Sequence, residues 1–344
     1  MTLKHAFEEQ ADHCIALGSP FMGQLMNVLK NDWPSDSALG RKLAGFEGDV
    51  GPMGASLPLR IAAGLHALVL QHKAPGLAAV YPPHEVTNAV LSDAVLEALQ
   101  THEAFLLEWI DHAPQTNEVR RSAALIAGAR VAVQHFNLPI YLSELGASGG
   151  LNLMWDHFLL EIDGHRFGSA LSTILLSPKW TGGLPPSVQP RIEKRRGVDL
   201  NPLDPTRRDH LLRLMAYMWA DQPERLNLTR SAASVLEAKV HQDDAIDWLA
   251  RQLPAAPEGR LHLIQHTIAW QYFPKAAQIR GTALIEAAGK RATKNRPLAW
   301  LSMESDGLDQ QGAALTLRMW PGDIRLDLGR VDFHGRWIDW KYSG

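Results

Sequence analysis

The chain reads as an α/β protein carrying an all-helical domain at its N-terminal end and a β-hairpin inserted after the first βα turn. Three observations predict this. Apolar residues recur at helical spacing from the start to about Asn137, with no strand-like run among them. Beyond Leu138, short apolar runs alternate with helical patterns, as stacked βα units do. Between the two textures, Tyr141-Leu-Ser-Glu-Leu-Gly-Ala-Ser-Gly-Gly-Leu-Asn-Leu153 runs from an apolar strand through a glycine turn into a helical pattern. The expected division is a helical domain over 1–137 and an α/β domain over 138–344, with the insertion at about 157–190. A length of 344 residues suits two such bodies better than one core.

Taken in order, helices are expected over His5 to Leu17, Phe21 to Lys30, Leu57 to Gln71, Thr87 to Leu99 and Glu103 to His112, separated by breakers such as Trp33 to Ser37 and Tyr81-Pro-Pro-His84. Thr116 is a candidate cap for a helix running to about Phe136, and Pro139 to Ser143 is the first strand. Phe158 to Ile162 and His165 to Phe167 form a hairpin around Asp163-Gly164, a pair suited to the type I′ turn. The rest of the insertion, from Pro178 to Pro190, is rich in glycine and proline and reads as a loop able to act as a lid. Further strands fit Arg191 to Leu200, Ala238 to Val240, Leu261 to Ala269, Ala299 to Met303, Leu315 to Trp320 and Ile324 to Val331. Helices fit Asp209 to Trp219, Leu226 to Leu236, Ala245 to Gln252 and Lys275 to Ala288.

Composition narrows the function. Lys and Arg number 34 against 37 Asp and Glu, a formal charge of −3, which argues against a nucleic-acid binder relying on a general basic field and favours a small-molecule substrate. The single cysteine, Cys14, excludes an internal disulfide and any Cys-x-x-Cys site and fits a reducing cytosol. No stretch reaches the roughly 18 apolar residues of a membrane span, and the start lacks the apolar core of a signal peptide, so a cytoplasmic protein with no membrane association is expected. His262 and His266 share a strand face, but no third ligand stands at motif spacing, so no metal is expected. Nothing in the sequence encodes an oligomeric state.

The glycine turn carries the chemistry. Glycines reach positive φ and let a ligand approach the backbone where the first N–H groups of a helix are unsatisfied. No Gly-Lys-Ser/Thr follows, which excludes a P-loop, and Ser148 and Leu151 break the Gly-x-Gly-x-x-Gly of dinucleotide folds. Two spellings remain. Gly146-x-Ser148-x-Gly150 is that of a hydrolase nucleophile elbow, with Ser148 as nucleophile and His266 or His334 available as base. That elbow follows several strands, however, and everything upstream here reads as helix. In the other spelling, Glu144 is an acid at the strand end ahead of spaced glycines.

Glu144, Gly146, Ser148 and Gly150 match, with one substitution, the first motif of S-adenosylmethionine-dependent methyltransferases, and from Leu138 to Tyr342 the succession of elements resembles the class I methyltransferase fold, a Rossmann-like sheet. The resemblance implies S-adenosylmethionine as cofactor, bound at Glu144, Gly146, Ser148, Gly150 and Asn152. It implies a ribose-binding acid, Asp199 or, nearer the usual spacing but in the hairpin turn, Asp163. It also implies that Asp244, in Asp243-Asp244-Ala245, accepts from the adenine amino group; the same residue reads equally as a plain helix cap. His266 is the candidate base, with Gln265 and Tyr272 as orienting groups and Trp270 beside them as an aromatic wall. Asn117, Glu118 and Arg121 can reach the cleft from the helical side, and the helical domain caps the acceptor. The absence of Asn/Asp-Pro-Pro-Tyr after the fourth strand argues against methylation of adenine N6 or a glutamine amide. The expected function is methyl transfer to a small-molecule acceptor; the alternatives are a serine hydrolase using Ser148 and a methyltransferase-like binding module without turnover. The whole chain also resembles an uncharacterised bacterial family, the domain-of-unknown-function 2332 family, through Gln115-Thr-Asn-Glu-Val119, Glu144 to Ser148, Gly150 to Leu153, Arg196 to Asp204, His266 and Tyr272.

Overall fold

The computed structural model describes residues 2–52, 54–308 and 310–344. The chain divides into two units, Met1–Thr116 with Arg207–Asn227, and Asn117–Thr206 with Leu228–Gly344.

The first unit is helical: α1 (Leu3–Ala16), α2 (Pro20–Asp32), α3 (Ala38–Ala44), α4 (Leu57–Leu70), α5 (Pro75–Ala78), α6 (Asn88–Thr101) and α7 (Glu103–Trp109). The caps explain several starts. Ser19 accepts from the Met22 N–H ahead of Pro20 at the first position of α2, and Thr87 accepts from the Val90 N–H of α6. Phe7, Leu25, Leu29, Leu65 and Leu91 close the core. After α8 (Ser122–Phe136), which opens the second unit, the chain returns to the first as α9 (Arg208–Ala216). What fastens that return is Asp221, whose carboxylate accepts from the Ser19 hydroxyl (2.5 Å) and the Phe21 N–H (3.1 Å) at the start of α2. The second unit begins at Asn117, so it includes α8. Ala123, Ala127 and Val131 of α8 belong to the core of the sheet, and Gly128 lies so close to it that a Cβ would stand 2.5 Å from Leu301 Cδ1. Thr116 does not cap this helix; Glu118 caps a short 3-10 turn, Val119–Arg121, that leads into it.

The second unit is built on β1 (Ile140–Leu145), β2 (Leu159–Ile162), β3 (His165–Phe167), β4 (Leu175–Leu176), β5 (Lys179–Gly182), β6 (Ile192–Asp199), β7 (Val240–Gln242), β8 (Leu261–Thr267), β9 (Leu298–Glu304), β10 (Ala313–Trp320), β11 (Ile324–Val331) and β12 (Trp337–Trp340), with α10 (Pro223–Ser234) leading into it and α11 (Ala245–Gln252) and α12 (Lys275–Gly289) crossing over it. Nine strands form one sheet in the order β5-β12-β11-β10-β9-β8-β1-β6-β7. From β7 to β9 all neighbours are parallel; from β9 to β12 they are antiparallel. One half is thus a βα-wound sheet and the other a meander, since β10 turns straight back along β9 without a crossover helix. β1 is buried at all six positions, as a central parallel strand covered on both faces must be. Ile140 and Leu142 face the α8 side, and Leu145 packs with Trp248, Ile264 and Ile285 on the other.

The expected hairpin is present, with Asp163 and Gly164 at φ 47 and 83, the two positive angles of a type I′ turn. It lies in a separate sheet ordered β3-β2-β4. Two readings change. The helix after the glycine turn is a 3-10 helix, Leu151–His157. The segment read as a loop contains β5, which adds to the sheet edge alongside β12, while its continuation is tied to α8 by Arg130: Nη1 donates to the carbonyls of Pro186 (3.1 Å) and Val188 (2.7 Å), and Nη2 to Gln189 Oε1 (2.8 Å). No helix of the described residues is long and apolar enough to cross a membrane. Arg130→Ala should cost about 2 kcal/mol in urea unfolding, because three acceptors lose their donor at once; an unchanged midpoint would show that Arg130 does not hold this segment.

Candidate functional site

The chain leaves β1 through three left-handed residues, Gly146 (φ 68), Ser148 (φ 50) and Gly150 (φ 76). Ser148 is the costly one, since a side chain seldom tolerates that region. It is held there by the acid at the end of the neighbouring strand. Asp199 Oδ2 accepts from the Ser148 N–H and Oδ1 from the Asn201 N–H, each at 2.9 Å, and the Ala147 N–H donates to the Val198 carbonyl (3.0 Å). Asn117 Oδ1 accepts from the Leu151 N–H (2.8 Å) where the 3-10 helix starts, and the Ser122 hydroxyl donates to Asn152 Oδ1 (2.8 Å). The glycines make room chiefly for protein: a Cβ on Gly146 would stand 2.5 Å from the Ala269 Cβ, and one on Gly150 2.9 Å from Val240 Cγ2. Beside Gly149, a cavity of about 390 Å³ opens between Leu203, Asp204, Leu236 and Lys239.

Register places Glu144 of β1 beside Gln265 of β8. Gln265 is fixed by its own partners, accepting from the Trp155 indole N–H (3.0 Å) and donating to the Asn152 carbonyl (3.3 Å). Glu144 is 2% exposed, and its Oε2 has no hydrogen-bond partner. Burial pushes its carboxyl up to about 8; the Gln265 hydrogen bond and the charge of Arg121 oppose this, and the charge of Asp199 adds to it. Arg121 itself donates to the carbonyls of Phe333 (2.8 Å) and Thr267 (3.4 Å). Its surroundings therefore favour the protonated form.

His266 points the other way. Successive strand residues face opposite sides of a sheet, so the structure does not bring Gln265 and His266 together. His266 is 1% exposed, and both its ring nitrogens are engaged: Nδ1 with Glu304 Oε1 (2.7 Å) and Nε2 with the Trp300 indole N–H (2.8 Å). An indole N–H only donates, so Nε2 accepts and Nδ1 carries the proton. Glu304, at the end of β9, also collects the N–H groups of Ala269, Trp270 and Gln271. Burial raises its pKa, but the hydrogen bond from His266 and these amides outweigh burial and hold it below the usual range. The turn that converges on it starts from Ile268 at φ 49, a conformation that β-branched residues rarely take. Trp270 stacks on His266 at 5.1 Å. Tyr272 faces out, 59% exposed. Sequence reasoning missed Glu304; the available signal was an acid at a strand end, the feature that singled out Glu144.

Of the remaining residues, Glu118 pairs with Arg120 (3.3 Å). Asp244 caps α11, its Oδ1 accepting from the Ile246 and Asp247 N–H groups at 2.9 Å. Asp163 lies in the separate sheet, whereas Asp199 stands at the turn. The family described as uncharacterized protein conserved in bacteria, domain of unknown function 2332, matches residues 4–340, which takes in both units and every site residue named above. The chain belongs to this family. No curated protein matches it.

A carboxyl raised on folding keeps its proton where the unfolded chain has lost it. Its contribution is thus complete below pH 4.5 and is lost as pH rises through about 8. Glu144→Gln should flatten that part of the fall in urea stability across this window; a pH profile parallel to the parent's would mean that Glu144 ionises normally.

Proposed function

We propose that the second unit binds S-adenosylmethionine and transfers its methyl group to a small-molecule acceptor. The observation that carries the reading is the reversal of strand order at β1, with β6 and β7 on one side and β8 and β9 on the other. In wound α/β sheets, ligands bind outside the carboxyl ends of the strands at such a point, and the turn held by Asp199 stands there.

The residues fit the cofactor. The unpartnered Glu144 Oε2 suits an ammonium, and a positive charge beside this carboxyl would draw it back to the ionised form. Each Asp199 oxygen accepts one amide and retains capacity for a ribose hydroxyl. The cavity at Gly149 has the size of a small-molecule site. Asp244 keeps its cap with Oδ1, which leaves Oδ2 for an adenine amino group. The cofactor would supply a sulfonium-bound methyl group for in-line displacement. The protein's own part is then to orient and to exclude water. His266, with its accepting nitrogen filled by Trp300, acts here through Glu304 by shaping the turn at Ala269 to Gln271. The charge of −3 favours a small acceptor over nucleic acid. A second reading, binding without turnover, is favoured by that same engagement of both His266 nitrogens. The hydrolase reading has less support, because β1 is the first strand along the described chain and Asp199 takes the backbone N–H of Ser148.

Titration calorimetry should register binding of both S-adenosylmethionine and its demethylated product, with Asp199→Ala weakening each by about 1–3 kcal/mol. No heat from either at millimolar ligand would overturn the cofactor assignment. Binding with no methylated product across a metabolite screen would favour the second reading.

A further inference from the structure

The helical unit holds donors without acceptors. Trp109, the last residue of α7, and Tyr217, which follows α9, are each 5% exposed with their rings 6.5 Å apart. Arg213 Nη1 on α9 has no hydrogen-bond partner, and the Trp109 indole N–H and the Tyr217 hydroxyl find none beyond each other. The Arg213 guanidinium lies 4.2 Å over the Trp109 ring. Stacking of this kind occupies the face of a guanidinium and leaves its N–H groups directed outward in the plane. Gly64 of α4 leaves room for the α7 side chains, since a Cβ there would stand 2.7 Å from Leu106 Cδ2 and 3.2 Å from Trp109 Cδ1. A second cation is close by: Arg60 donates to the carbonyls of Ala55 (2.7 Å) and Ile110 (2.9 Å), and its charge acts on Tyr217.

The charges near this cluster do not neutralise it. Glu108 acts on Arg213 and Asp111 on Arg60, but neither forms an ion pair with them among the described residues, and Asp111 is bonded to Lys42 at 2.6 Å. Burial lowers the pKa of both arginines and pushes the Tyr217 phenol up to about 12, against the pull of Arg213, Arg60 and the Trp109 N–H. A buried donor left without an acceptor costs on the order of 1–3 kcal/mol. Donors with no acceptor outside their own cluster, beside two cations, call for an anion rich in lone pairs.

We infer that Arg213, Tyr217 and Trp109 form a binding site for a small oxyanion head group, a carboxylate or a phosphoryl. The site is independent of the cofactor reading, because it lies wholly within the other unit.

The test follows the Trp109 indole N–H by nitrogen-15 NMR, its resonance identified by loss in Trp109→Phe, while inorganic phosphate and, separately, acetate are added to the full chain. A saturable shift with either anion is expected, and the tighter of the two names the head group. Affinity should drop roughly tenfold or more in Arg213→Met and by a smaller factor in Tyr217→Phe, with circular dichroism checking the fold. If Arg213→Met does not fold, Arg213→Lys, which keeps the charge and loses the fork, should bind more weakly than the parent. No saturable shift with either anion, or equal affinity in the folded variants, would overturn the site.

Discussion

The carboxylate of Asp199 joins the ends of two adjacent strands, and the geometry of the site descends from that contact. Its two oxygens take the N–H groups of Ser148 and Asn201, so the left-handed turn after β1 cannot shift without unseating the end of β6. Gly197 completes the fit, since a Cβ there would stand 2.7 Å from that of Ala147. Held in this way, the turn delivers the 3-10 helix whose Asn152 and Trp155 fix Gln265, and Gln265 stands beside Glu144. A backbone strain of the kind seen at Ser148 persists only where its surroundings over-determine it, and here three side chains, Asp199, Asn117 and Ser122, do so.

β8 shows how an interior strand can carry polar residues. All seven of its positions are buried, yet it holds His262, Gln265, His266 and Thr267. Burial is tolerable because partners are built in. His262 meets the Ser143 hydroxyl at 2.9 Å and is kept neutral, burial pushing it down to about 3. His266 is closed between Glu304 and Trp300. Against that background the vacant acceptor is Glu144 Oε2. Buried polar atoms without partners are few in folded proteins, and this one stands beside the strand end at which the sheet order reverses.

Much of this was legible in the sequence. The parallel half of the sheet could be read from alternating apolar runs and helical patterns, the hairpin from Asp163-Gly164, and the turn from its glycines. The closing antiparallel pair could be read too, from Leu315 to Trp320 and Ile324 to Val331, whereas the short edge strands β5 and β12 and the return of Arg207–Asn227 to the helical unit were harder. Their signals are contacts remote in sequence, such as Asp221 with Ser19, and these leave no periodicity. The opposition of Gln265 and His266 follows from the two-residue period of a strand and could have been read directly. The closing of both His266 nitrogens could not, because Trp300 and Glu304 arrive from another strand. Asp244 shows the reverse case, a residue whose simplest sequence meaning, the helix cap, is present in the structure.

If Glu144 is the acid that receives the cofactor's ammonium, it must change from protonated to ionised when the ligand arrives. Titration calorimetry of S-adenosylmethionine at neutral pH, repeated in two buffers of different ionisation enthalpy, measures that proton directly. The account predicts release of about one proton on binding, lost in Glu144→Gln. Binding with the same heat in both buffers would contradict it.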